Sequence, residues 1–422
     1  MTSNQSGPGR QRSSTGAAPN LDTLATEAHD YLSDAVALRR RLHRRPEIGI
    51  HNPITTDALL ESLEGTDLAI TRHQQTSGVS ALFTGSKPGP TILLRADTDA
   101  LPMPEDTGLD FASTVDNTMH ACGHDTHVAM LVGAAKLLSR HRDEIAGRVL
   151  FMFQPGEEGY GGAEYMLNEG LLDVPPLADG TPSPVTAAFA LHTTSALPTG
   201  YVSSRGGSIM ASSDELKITV TGKGGHASDP SKTIDPIPIA CEIVQALQLM
   251  VTRRIDVFDP AVVTVARIIA GTTTNVIPET ATIEGTMRAV SEATRSKVHD
   301  GVRRVAEGIA AAHDAQVEVE LRINYPVTQN NDTFAAFALG VADDVLGADR
   351  SIRLPHPVMG AEDFSYVLQR LPGAMMFLGA TPPDVRLDTA APNHSNRVYF
   401  DEDCMRSGIA MHAAVALRHL AR

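Results

Sequence analysis

Two short stretches concentrate groups that can ligate a metal or move a proton. HACGHD (120–125) sets Cys122 between His120 and His124, and PGEEG (155–159) places Glu157 beside Glu158. Thiolate, imidazole and carboxylate are all donors for zinc and similar divalent ions. Cys122 alone admits three readings: a nucleophile activated by a neighbouring histidine, a metal ligand, or a small buried residue. Two adjacent carboxylates repel each other and resist burial unless a cation is near. PGEEG therefore reads either as a solvated acidic turn or as a divided pair. In the divided pair one carboxylate binds metal, while its neighbour takes the proton of a water attacking a carbonyl. His192 in ALH and His394 in NHS complete the inventory. A nucleophilic Cys122 leaves Glu157, Glu158, His192 and His394 without roles, whereas metal binding uses them all.

Positioning these groups requires a sheet. TILLRADTD (91–99), RVLFMFQPGEE (148–158) and VTAAFALH (185–192) are apolar runs too short for helices, and they read as buried parallel strands. Helix-like stretches at 126–141 and 162–170 separate them, which implies right-handed βαβ units. Open sheets of this kind bind ligands beyond the carboxyl ends of their strands, where Asp97, Asp99, Glu157, Glu158 and His192 fall. One amphipathic helix is expected before them, from 21 to about 45, stopped by Pro46.

From about Ser212 the texture changes to four strand-like and two helix-like segments in β-α-β-β-α-β order, the split ferredoxin-like pattern. The expected class is α/β, with a mostly parallel-sheet catalytic domain and an inserted α+β ferredoxin-like domain. The expected division is a disordered tail over 1–20, a discontinuous catalytic domain over 21–211 and 327–422, and an insertion over 212–326. The apolar fraction of 42% can fill two cores. A formal net charge of −15 argues against a nucleic-acid partner. No apolar run suits a membrane span or a secretory leader, and the three cysteines form no CxxC pair. A cytoplasmic protein acting on a small molecule, without membrane contact, is expected.

Taken together, RADTDALPMPE, HACGHD, QPGEEG, ALH, GKGGHAS, TNVIPE, EGTMR, GAEDFS and NHS follow in order from LHRRPEIG at Leu42 to the final helix. In this the chain resembles the dinuclear metallohydrolase family of aminoacylases and carboxypeptidase G. The resemblance is greatest to its amidohydrolase branch: hippurate hydrolase, N-acyl-amino-acid amidohydrolases and hydrolases of indole-3-acetyl-amino-acid conjugates. The resemblance implies a metal-dependent amidohydrolase that cleaves the amide bond of N-acyl amino acids with two divalent ions, Zn, Mn, Co or Ni.

It further implies that Cys122 lies between the two metals, where other branches use a bridging aspartate. His124 and His192 would complete one metal, Glu158 and His394 the other. Glu157 would be general base and then general acid, and Asp99 would orient a ligand histidine. The inserted domain would be a lid and the contact of a homodimer. From it His226 would reach the partner's site to stabilise the oxyanion, and Asn275 and Arg288 would hold the substrate carboxylate, for which a bidentate arginine is suited. His120 and His127 are expected behind the ligands or on a helix face. Thr98, Asn396 and the long loop 172–184 depart from the branch's pattern and bear on the acyl pocket rather than on the chemistry. Two rivals stand beside this reading: a homodimeric binding protein without turnover, and a cysteine-dependent hydrolase.

Overall fold

A computed structural model describes residue 21 and residues 23–421. The expected tail over 1–20 lies outside the described residues. The expected first helix is broken into a turn at Leu24–Glu27, a 3-10 turn at Ala28–Tyr31 and helix α1, Leu32–His43. The tighter 3-10 turn, with three residues per turn, aligns Ala28 with Tyr31 so that both are buried.

The chain then forms β1 (Leu68–Arg72), β2 (Val79–Thr84) and β3 (Lys87–Asp97), followed by α2 (His124–Arg140), β4 (Ala146–Gln154) and β5 (Val185–Pro198). In the inserted region come β6 (Asp214–Thr221), α3 (Pro236–Arg254), β7 (Ala261–Ala270), β8 (Thr280–Ala289), α4 (Glu292–Ala312) and β9 (Gln316–Ile323). The return adds α5 (Asp332–Leu346), β10 (Gly373–Thr381) and α6 (Cys404–Leu420).

The large sheet runs β1-β2-β4-β3-β5-β10 and ends in the short strands Val202–Ser204 and Ser351–Arg353. Its centre, β4-β3-β5-β10, is parallel, and antiparallel pairing is confined to β1 and β2 on one side and Val202–Ser204 on the other. The fold is thus α/β with a large, mostly parallel sheet. Central strands of this kind bury both faces, which is why VLFMF and GAMMFLGAT read as unbroken apolar runs. One face packs on α1, α2, α5 and α6 through Leu38, Val128, Leu131, Phe151, Phe189 and Met411. The other face carries a second cluster around Leu93, Met152, Ala190, Phe364 and Met375.

The second sheet is antiparallel throughout, in the order β7-β8-β6-β9. The alternation in DELKITVT buries Leu216, Ile218 and Val220 against α3 and α4 and turns the residues between them outward. Both helices start at side-chain caps: Asp235 accepts from the Ile237 amide at 3.0 Å and Ser291 from that of Thr294 at 3.1 Å. Ile243, Leu247, Ile283, Val298 and Val302 join this separate core. Among the described residues no helix is long and apolar enough to cross a membrane.

Candidate metal centre

Because β3, β4 and β5 are parallel neighbours, their carboxyl ends share one rim. The first ends at Asp97 with Asp99 two residues on, the second runs into PGEEG, and the third carries His192. Cys122 and His124 enter from the turn that starts α2. That turn needs Gly123: its φ is +89°, and a Cβ there would lie 2.3 Å from the Thr193 hydroxyl. His394 comes from the loop before α6 with φ +68°, a left-handed conformation that a histidine adopts only at a cost. Its amide is tied to the Ala121 carbonyl at 2.8 Å, which holds it over Cys122.

These approaches converge on one thiol. Cys122 Sγ lies 3.4 Å from His192 Nε2 and 3.3 Å from His394 Nε2, and the latter nitrogen is 3.2 Å from Glu158 Oε1. The ligating atoms of Cys122, His124 and His192 lie within 4.8 Å of one another, as do those of Cys122, Glu158 and His394. Cys122 is therefore common to two donor triads. A third groups His124, Glu157 and Glu158.

The donor set suits cations on physical grounds. His124 Nδ1 bonds the Asp99 carbonyl oxygen and His192 Nδ1 that of Thr193, each at 2.8 Å, so both Nε2 lone pairs face the cluster. His124 Nε2 and Glu158 Oε1 are buried and make no well-aligned hydrogen bond among the described residues, although Asp97 lies 3.4 Å from the first and His394 3.2 Å from the second. An unpaired buried polar atom costs about 1–3 kcal/mol, a cost that coordination would remove. Burial pushes the Cys122 thiol up, but the facing imidazoles of His192 and His124 bring it down to about 6, which favours the ligating thiolate. Burial also raises the Glu158 carboxyl, and His394 and His124 outweigh it and hold the group below its ordinary range. Glu157 behaves oppositely: burial, then the neighbouring Glu362 and Glu158 carboxylates, lift it well above the usual range. Two adjacent carboxyls thus have environments that drive their protonation apart.

Asp99 stands against His124 and also reaches the PGEEG loop. Its backbone carbonyl is bonded to His124 Nδ1 and its carboxylate lies 3.5 Å from the same nitrogen, while that carboxylate accepts the amides of Glu157 at 2.9 Å and Glu158 at 3.0 Å. The Asp97 carboxylate approaches the other nitrogen of the ring, 3.4 Å from His124 Nε2, and is bonded to His127 Nδ1. His127 Nε2 in turn meets Thr193, while His120 is buried with neither ring nitrogen paired among the described residues.

A cleft of about 790 Å³ opens over the thiol between the two sheets. Its walls include Arg288 on one side and the apolar Met210, Met359 and Phe377 on the other. Arg288 forms no ion pair among the described residues, and burial lowers its pKa despite Asp214 nearby, so a cation faces the cleft without a partner. His226 and Asn275 are exposed and do not line this cleft. They sit together, because His226 pairs with Val276 and the Ala227 amide bonds the Asn275 carbonyl at 3.1 Å.

Residues 93–418 match peptidase family M20/M25/M40. The chain belongs to that family. It is accordingly a hydrolase of amide bonds. The M20 chain is 39% identical to thermostable carboxypeptidase 1 of Saccharolobus solfataricus, over 94% of this chain and 98% of that one. It is 37% identical to an IAA-amino acid hydrolase of Arabidopsis thaliana, over 94% and 88% of the two chains. Among solved structures, a Bacillus subtilis M20 protein described as a dinuclear metal binding peptidase superposes with a TM-score of 0.80 at 35% identity, covering 93% of this chain and 99% of that one.

Beneath the M20 rim lies a buried network that residue types alone did not single out. Arg95, fully buried, bonds Asp97 at 2.6 Å, Glu362 at 2.7 Å, Asp363 at 3.2 Å and Gln154 at 2.9 Å. Asp363 also accepts the Ala163 amide at 3.0 Å, just past PGEEG. An arginine inside the apolar run TILLRAD was the available signal, since a buried guanidinium requires carboxylates around it.

Proposed function

We propose that the chain is a metal-dependent amidohydrolase that releases the acyl group from N-acyl amino acids. The observation that carries this reading is Cys122, shared by two donor triads beneath a cleft whose Arg288 has no ion pair among the described residues. In this reading Cys122, His124 and His192 would hold one divalent ion, and Cys122, Glu158 and His394 a second. Mixed thiolate, imidazole and carboxylate ligation suits Zn, Mn, Co or Ni. When bound, such ions polarise the amide carbonyl and make water acidic enough to attack near neutral pH.

The chain's own residues do the rest. Glu157 takes the proton of the attacking water and returns it to the leaving amine, a task that suits a carboxyl held above its ordinary range. Arg288 receives the substrate carboxylate, the partner that a guanidinium binds bidentately. Asp99 keeps Glu157 and Glu158 on the rim by holding both their amides. The apolar wall of Met210, Met359 and Phe377 leaves room for an uncharged acyl group or side chain.

His226 and Asn275 enter in this reading from a second copy, with His226 donating to the oxyanion and Asn275 assisting Arg288 at the carboxylate. Support for such pairing comes from β7, which has no partner on its outer edge among the described residues. Ile268 and Ile269 on it are 49% and 45% exposed, an apolar edge of the kind that pairs with another strand. Mixing inactive His226→Ala with inactive Glu157→Gln, with time for subunit exchange, should restore activity. Half of the dimers are then hybrids with one intact site each, so recovery reaches about a quarter of the wild-type value. No recovery, despite demonstrated exchange, would remove His226 from the partner's site.

Release of free amine from benzoyl-glycine, N-acetyl-methionine and an indole-acetyl amino acid tests the whole reading. At least one is cleaved, and its carboxamide counterpart, which lacks the charge Arg288 would bind, is cleaved at least tenfold less efficiently, the scale of one charge-assisted contact of roughly 1.5–3 kcal/mol. A ligand that raises the melting temperature without being cleaved would instead favour the binding-protein alternative.

A further inference from the structure

The PGEEG loop, which carries the proposed base, closes on itself through the Gly159 amide, which donates to the Glu157 carbonyl at 2.7 Å, and the Gly162 amide, which donates to that of Gly156 at 3.1 Å. Gly159 and Gly161 adopt φ of +88° and +70°, left-handed values open to glycine, and among the described residues nothing beyond the chain neighbours lies within 4 Å of where a Cβ would stand. The Glu157 peptide is also held from outside the loop at both ends. On its amide side the Asp99 carboxylate grips Glu157 and Glu158. On its carbonyl side the Tyr325 hydroxyl donates to the Glu157 oxygen at 2.6 Å and accepts the Gly161 amide at 3.1 Å.

Tyr325 does not belong to the large sheet. It lies on the segment returning from β9, one of two crossings between the sheets, and each crossing is fastened to the other. Its backbone carbonyl accepts the Ser213 amide of the outgoing crossing at 2.9 Å. Asn324 beside it donates its amide to Asp214 at 3.0 Å, and its carbonyl accepts from Arg295 at 3.3 Å and Tyr366 at 3.1 Å. Asp214 is itself buried and gripped by Arg295 at 2.6 and 2.8 Å and by His299 at 2.8 Å. Val327, two residues on, is anchored to Glu292 at 2.8 Å. The ring is 8% exposed and lines the cleft beside Arg288.

We propose that Tyr325 is a positioning residue that ties the Glu157 peptide to the crossing between the two sheets, so that the seat of the inserted sheet sets where the base stands. The inference rests on the reading of Glu157 as the base. Tyr325 transfers no proton; it acts through the backbone of Glu157. Small displacements matter there because proton transfer demands near-contact geometry, and a misplacement of about 1 Å can cost ~100-fold in rate.

Tyr325→Phe in the full chain removes the hydroxyl and keeps the ring. Hydrogen exchange, which needs no substrate, is expected to quicken about fivefold or more in a peptide spanning 155–162, the effect of one hydrogen bond of ~1 kcal/mol. Peptides from α2 and from β6 to β9 are expected to be unchanged. With a substrate cleaved by the wild type, kcat falls about tenfold while KM stays within about twofold and metal content is unaltered. Unchanged exchange at 155–162 overturns the proposal, and so does faster exchange with wild-type kcat. Faster exchange throughout, with a fall in melting temperature that accounts for the lost activity, also overturns it, because the tyrosine is then only a packing residue. If the wild type cleaves no N-acyl amino acid, the functional reading fails, and the exchange result alone decides whether Tyr325 anchors the loop.

Discussion

Replacing Glu157 by glutamine lowers kcat by ~10²–10⁴-fold, the range that a positioned general base contributes, and leaves the metal content as it was. Glutamine matches the side chain in size, so the buried position remains filled. It cannot take a proton from water. Glu157 stands apart from both triads that share Cys122, and the carboxylate proposed to ligate is Glu158, whose Oε1 faces His394 at 3.2 Å. Turnover by the wild type and the variant, with metal per chain measured on the same samples, checks this. Activity retained at the wild-type level contradicts the role of Glu157. Loss of a metal with the activity would make Glu157 a ligand and return the proton transfer to another group.

The second large effect is on stability. Arg95→Leu should destabilise the protein by about 3–5 kcal/mol, the cost of breaking a buried ion pair from one side. The change strands Asp97, Glu362 and Asp363, all buried, around an apolar side chain. It also frees the Asp363 carboxylate that holds Gln154 and the Ala163 amide, so PGEEG loses its footing. An exposed arginine supplies the control: Arg41 pairs with Glu61 at 2.7 Å with both side chains more than half exposed. Arg41→Leu should cost less than about 1 kcal/mol. Unfolding midpoints in urea for the two variants, each against the wild type, separate the cases. Equal midpoints would mean that the buried network carries no net stability.

Legibility followed the physical periodicity of each segment. The long apolar runs that became β3, β4 and β5, and the alternating DELKITVT, could be read because burial on two faces or on one leaves a distinct pattern in the chain. The antiparallel edge was not read. LAITR in β1 is mostly exposed, so it has no apolar face to betray it, and it is placed by pairing with β2 rather than by composition. The single helix expected over 21 to about 45 kept its buried face but not its continuity, because a 3-10 turn at Ala28–Tyr31 preserves the same facing.

The donors of the candidate centre were legible from chemistry and motif order, whereas the scaffold behind them was not. Cys122, His124, Glu158, His192 and His394 are brought together from four separate stretches, and each is a residue type with an evident ligating atom. Asp97 and Asp99 sit two residues apart at the end of one strand and both carboxylates approach His124, and no spacing rule says which of them also holds the loop amides. Tyr325 has no ligating function, and its contact with the Glu157 carbonyl spans 168 residues, so it exists only once the chain has crossed between the sheets twice.

The most direct test of the central claim is amine release before and after metal removal. A preparation that cleaves an N-acyl amino acid is stripped with chelator, assayed, and assayed again after resupply with Zn, Mn, Co or Ni. The account predicts that cleavage disappears with the metal and returns with at least one of these ions, at two ions per chain. Activity that survives the chelator and is abolished by thiol alkylation would contradict it, and would make Cys122, with His192 3.4 Å away, a nucleophile instead.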